Sequence, residues 1–291
     1  MNKNAVVRII IWSIVILVLL AILLAGLSHR FYVPLRISGG SAGASGNIQM
    51  TAVDADEEVC VPAAEIRSID IDWVSGSVTI APGDVEEITF CESSVSNDKY
   101  KMVWKQSGDK LTIQFCRDSN SLNFGVHFND GDKNLLITVP RDWVCDSLEI
   151  DAASAELRIR DLTIREVEID TASGTADFEN CTVDSLEVDT ASGDITFAGS
   201  LNALECEAAS AGFVGVLSNV PGHISMNSMS GDLDLTLPED AGFIVDMDTM
   251  SSDFSSDFPT VRKNGNYVCG DGRCRIDVDA MSGEVIIRKQ G

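Results

Sequence analysis

Apolar and polar residues alternate with period two along most of this chain. A clear stretch is Leu186-Glu187-Val188-Asp189-Thr190, and alternation resumes in Asp194-Ile195-Thr196-Phe197. That period marks strands with one buried face. Leu186 and Val188 share one parity while Ile195 and Phe197 have the other, so the chain must turn a corner at Ala191-Ser192-Gly193 to keep both apolar sets inside. Tiny residues fit where a backbone bends.

The corner belongs to a repeated phrase: an apolar residue, Asp, Glu or Asn, any residue, a small residue or Met, Ser, and a tiny residue. Eight copies place Ser at 75, 154, 173, 192, 210, 230, 251 and 282. The intervals are 79, 19, 19, 18, 20, 21 and 31 residues. A period near twenty means a stacked array. Two short strands and their corners in ~19 residues cannot close a sheet locally, but coiling lets each strand pair with its equivalent one turn later, ~4.8 Å along the axis. The pattern predicts an all-β, single-chain β-solenoid, β-helix-like, with a core of stacked Ile, Val, Leu, Phe and Met. A leucine-rich repeat would need an Asn column and a helical segment on its outer side, and neither is evident. The long first interval leaves room for degenerate copies, and the last holds about ten inserted residues.

Residues 9–27 are nineteen positions without a charge, flanked by Lys3 and Arg8 before and by His29, Arg30 and Arg36 after. At ~1.5 Å per helical residue they span ~28 Å, about one hydrocarbon core. A cleavable leader ends in small residues, whereas Leu27 precedes Ser28, so the run reads as an uncleaved transmembrane helix. A short tail before it and a large domain after it favour the tail inside and the domain outside, since long domains translocate largely regardless of charge. The expected organisation is a cytoplasmic tail at 1–8, the membrane helix at 9–27, a flexible Gly/Ser-rich tether at 28–47, an irregular β region with the first turns at 48–140, and regular repeats at 141–291. The expected location is the cell membrane, single-pass, with the C-terminal domain extracellular.

Charge narrows the function further. The chain carries 45 acidic and 21 basic side chains, a formal net charge of −24. Nucleic-acid binding is driven by Lys and Arg releasing counterions, so this balance excludes it as a function class.

A single anchor followed by acidic strand repeats written Asp189-Thr190-Ala191-Ser192-Gly193-Asp194-Ile195 resembles the bacterial "putative adhesin" family of domains of unknown function, over roughly residues 66–290. The resemblance implies a β-helix-like fold at the cell surface, with some members linked to envelope stress in Gram-positive bacteria, and it supplies no catalytic residues.

No catalytic, cofactor-binding or metal-ligating residue is assigned from the sequence. Asp170-Thr171-Ala172-Ser173-Gly174 and its copies look like aspartic-protease loops, but a dyad is paired whereas this motif is iterated, and Glu207 and Asn227 replace Asp in two copies. Gly39-Gly40-Ser41-Ala42-Gly43 fits a nucleophile elbow but sits in a linker with no flanking strand and helix. Asp72, Asp151, Asp170, Asp189, Glu207, Asp248 and Asp279 form one acidic column, whose neighbours repel by about 0.9 kcal/mol at ~4.8 Å in water. Calcium could relieve this repulsion, although surface charge alone accounts for such a column.

Among the eight cysteines, Cys269 and Cys274 flank a Gly-rich turn that could join them in a disulfide. Zinc is unlikely without a C-x-x-C pair and with three scattered histidines. Met226, Met229, Met247, Met250 and Met281 recur at repeat positions and read as core rather than copper ligands, and Trp73, Trp104 and Trp143 read as caps. The expected role is non-enzymatic binding or scaffolding at the cell envelope, with an envelope polymer or protein as ligand. The alternatives are a polysaccharide-processing enzyme, which would need clustered Asp, Arg or Lys in the irregular stretches 76–150 or 252–281, and a self-assembling scaffold.

Overall fold

The computed structural model describes residues 50–93, 101–116 and 133–291. The expected tail, membrane helix and tether lie outside these residues, and no helix among the described ones is long and apolar enough to cross a membrane. The described residues are mostly strand, with one 3-10 turn at Ala63–Glu65.

The middle of the chain coils as the alternation predicts. Strands Val144–Arg160, Thr163–Ser192 and Ile195–Ser210 lie parallel and in register. Ile150 pairs with Ile169 and Ser154 with Ser173, and one coil further on Val188 pairs with Cys206 and Ser192 with Ser210. Both parities turn inward: Leu186, Val188, Ile195 and Phe197 are all buried. One core column runs through Ile71, Ile150, Ile169, Val188, Cys206, Met226 and Val278, and another carries Ile80, Ile159, Phe178 and Phe197. The rings of Phe178 and Phe197 lie 5.4 Å apart. Stacking like on like lets each added coil bury the apolar face its predecessor leaves exposed.

Packing between coils, as well as bending, dictates the tiny residue at the corner. Gly193 has φ +128°, and a Cβ there would stand 1.6 Å from the carbonyl oxygen of Gly174 in the adjacent coil. Successive corners touch backbone to backbone.

Both ends depart from a simple spiral. No coil lies between those of Ser75 and Ser154, which pair directly. The segment between them is built outward from the first coil. Strand Ser68–Gly83 takes Val144–Arg160 on one edge and Lys110–Gln114 and Lys133–Pro140, both parallel, on the other. Beyond these lie antiparallel strands Ile88–Ser93 and Val103–Ser107, which close this end with Val59–Val61 and Thr51–Ala52. Trp73, Trp104 and Trp143 pack against the core here, and Trp143 donates to the Ile66 carbonyl at 3.1 Å.

At the other end the coils are out of chain order. Ser230 pairs with Ser282, and Ser282 pairs with Ser251. Strand Cys274–Lys289 is therefore wedged between the coil of His223–Ser230 and Leu233–Leu237 and the coil of Phe243–Ser256. The inserted residues explain the exchange: Val261–Lys263 and Asn266–Cys269 form a hairpin that folds back on the outer edge of Phe243–Ser256, and the turn at Gly270 and Gly272 sends the chain inward.

The same register rules out the expected Cys269–Cys274 bridge. Both cysteines pair with Phe243, one on each edge of its strand. That sets their Cα atoms roughly 10 Å apart, too far for a disulfide. Cys269 and Cys274 are free thiols; of the eight cysteines, Cys60 is exposed, Cys91 half-buried and the other six buried. Burial, ahead of every other influence, pushes Cys145 and Cys274 up to about 12 and Cys181 and Cys206 up to about 11. Because the thiolate is the reactive form, alkylation of the native protein at pH 8 should modify Cys60 rapidly, Cys91 slowly and the rest only in denaturant. Mass spectrometry showing two fast-reacting buried thiols would contradict this packing.

Candidate functional site

The outer surface of the coils carries two acidic columns, one more than the repeated phrase suggests. The column seen in the phrase runs Asp72, Asp151, Asp170, Asp189, Glu207, and a second lies two residues earlier on each strand: Asp70, Glu149, Glu168, Glu187, Glu205. Alternation carries the signal for both, since a strand that reads Leu-Glu-Val-Asp puts both carboxylates on one face. Together they form a strip two carboxylates wide over five coils. Ser225 and Asn227 interrupt it, and it resumes with Asp277, Asp279, Asp246 and Asp248.

Cations pin its ends. Lys110 contacts Asp70 and Glu149, both at 2.9 Å, and Arg275 holds Asp277 at 2.8 Å. Gln114 donates to Asp72. Between the ends the carboxylates face mainly one another. Burial first, then the charges of Asp72 and Asp170, push Asp151 up to about 7. Burial, then Glu207 and Asp170, push Asp189 up to about 6. Asp72, Asp170 and Glu168 are raised as well, chiefly by burial.

In the unfolded chain these aspartates titrate near 3.9. Between about pH 4 and 7 the folded chain therefore holds more protons than the unfolded one, so these groups stabilise the fold fully below pH 4 and lose that effect as pH rises through 6 to 7. Thermal melts at low salt should give a higher Tm at pH 5 than at pH 8, and Asp151→Asn should raise the Tm at pH 8 and flatten the difference. A Tm that climbs steadily from pH 5 to pH 8 would refute the crowding of these carboxyls.

Among the described residues no group of three or more His, Cys, Asp or Glu is arranged to hold a metal ion. The repeated serines stack at the corner as Ser75–Ser154–Ser173, Ser192–Ser210 and Ser230–Ser282–Ser251. Ser173 Oγ donates to the Ala153 carbonyl, and the hydroxyls of Thr171 and Thr190 donate to the carbonyls of Ser173 and Ser192, contacts that brace the bend.

The irregular stretch 76–150 contains exposed ion pairs, such as Arg141 with Asp84 at 2.8 Å, and one inaccessible pair. Lys133 and Glu92 form an ion pair with side-chain exposures of 3% and 0%. Lys133 Nζ also donates to the Phe115 carbonyl and lies 4.1 Å from the Phe115 ring and 5.0 Å from that of Trp73, while Glu92 Oε1 accepts from the Met102 backbone at 2.9 Å. This constellation locks the end of the spool together and presents nothing to a substrate.

The methionines divide. Met226 is in the core and Met247 packs against it, but Met281 and Met250 are 52% and 83% exposed, which corrects the expectation that all five fill the interior.

The profile of the family described as Toastrack DUF4097 matches residues 66–212 and 216–288. Among solved structures, a putative cell adhesion protein from Clostridium sporogenes is similar at 14% identity and a TM-score of 0.35, covering 83% of this chain and 100% of that one. A putative adhesin from Bacteroides fragilis has 12% identity and a TM-score of 0.44 over 80% and 98% of the two chains. A putative lipid binding protein from Parabacteroides distasonis has 13% identity and a TM-score of 0.36 over 82% and 98%. No curated protein matches.

Proposed function

The chain belongs to the Toastrack DUF4097 family, and from that premise we propose a non-enzymatic binding or scaffolding protein, held in the cell membrane by residues 9–27 with its coils outside. The observation that carries this reading is the acidic strip. It is an extended surface repeated every ~4.8 Å, suited to a long ligand that also repeats. A partner of matching chemistry is a basic, extended envelope polymer or protein segment, whose cationic groups would relieve repulsion already present in the strip.

The full chain in lipid nanodiscs should bind polylysine and basic cell-wall polymer, more weakly as salt rises. Glu149→Gln, Glu168→Gln and Glu187→Gln together should weaken that binding at least tenfold. Equal binding by the triple variant would remove the strip from the function. Release of oligosaccharide from the polymer would replace binding with catalysis.

Topology has its own test. Cys60 is the exposed thiol, so a membrane-impermeant maleimide should label it on intact cells. Labelling only after lysis would place the coils on the cytoplasmic side.

A further inference from the structure

The outward column next to the acidic strip changes character along the spool. On five coils it holds Val74, Ala153, Ala172, Ala191 and Ala209. On the last three, in spatial order, it holds Met229, Met281 and Met250. Register fixes this adjacency: Ser228 pairs with Ala280 and Ser230 with Ser282, while Thr249 pairs with Ala280 and Ser251 with Ser282. Three methionines from three neighbouring strands are thus side by side, ~4.8 Å apart along the ladder. Chain order hides this, because the wedged strand brings Met281 between the other two.

The fold does not require methionine here, since small residues fill the same position on the other coils. Two of the three side chains are mostly in solvent, so they add little to the core. Thioethers are neutral, soft donors on flexible stems, and they select copper(I) over hard cations. The neighbouring column, two residues away on each strand and roughly 7 Å along it, holds Asn227, Asp279 and Asp248, which gives the thioethers a negative field. A soft monovalent cation satisfies both the ligands and the field.

We infer that Met229, Met281 and Met250 form a surface site for copper(I), with three thioether sulfurs converging on one ion. The site depends neither on the ligand of the acidic strip nor on the side of the membrane.

Silver(I) serves as the redox-inert probe, and Cys60→Ser with Cys91→Ser removes the competing accessible thiols. Titration of this full-length variant in detergent, followed through methionine methyl resonances, should shift Met229, Met250 and Met281 and leave Met226 in place, saturating at one ion per chain. Binding should be the same at pH 5.5 and pH 7.5, because thioethers do not titrate, and excess zinc should not compete. Replacing all three by Leu, which preserves size at exposed positions, should weaken silver binding by about 100-fold or more. An unchanged affinity in the Leu variant, silver shifts confined to other residues, or a strong loss of binding at pH 5.5 would each overturn the site.

Discussion

Breaking the buried Glu92–Lys133 pair from either side is expected to cost about 3–5 kcal/mol, lowering the Tm by roughly 10 °C for a domain of this size. Glu92→Gln takes the paired carboxylate away from an ammonium that lies against the Trp73 and Phe115 rings, and Lys133→Met takes the ammonium away from a carboxylate that accepts from the Met102 amide. Burial pushes the Lys133 ammonium below its ordinary value, and Glu92 pulls the other way. The double variant Glu92→Leu with Lys133→Met removes both charges and should recover most of the loss, since a packed apolar pair can match a buried ionic one. Urea denaturation of the four proteins measures the coupling. Single variants within 1 kcal/mol of the parent would show that the pair is not sealed from water.

The second large effect is at the corner. Gly193→Ala should destabilise by roughly 4 kcal/mol or more, a size reserved for substitutions with no room to relax. Its Cβ would meet the Gly174 carbonyl oxygen at 1.6 Å, and that oxygen belongs to a backbone which itself stacks on Ala155. Relief would require separating coils along the whole spool. Gly108→Ala is the internal control. Gly108 also has a positive φ, +65°, but a Cβ there meets nothing within 4 Å. It should lose only about 1 kcal/mol of conformational preference. Similar losses at the two sites would mean that dihedral strain, not contact between coils, explains the tiny residue.

These residues also show what could be read from the sequence. Parity and the serine phrase suffice for strands, corners and core, because burial on a pleated strand is decided two residues at a time. They do not determine which coil lies beside which. The phrases ending at Gly231, Ser252 and Gly283 present nearly the same edge, so any of them can pair with any other, and only the inserted hairpin decides the order. The methionine ridge depends on that order, which the repeated phrase does not carry.

The second acidic column was legible in the alternation, but the repeated phrase begins after it. Lys133 follows the polar run Asn129-Asp130-Gly131-Asp132 in sequence, and its burial depends on Glu92 and Phe115 far along the chain. A buried charge is a long-range agreement that no local pattern announces.

The wedged strand bears on biosynthesis. Cys274–Lys289 is translated after both coils that it separates. While the ribosome is still at work, those two coils either wait with their facing edges unsatisfied or zip against each other into a mispaired intermediate that must reopen. Late synthesis thus becomes a clasp, in which the last-made segment locks a slot held vacant by what came before, and a nascent chain stalled before residue 274 should offer two sticky edges to chaperones or to its neighbours.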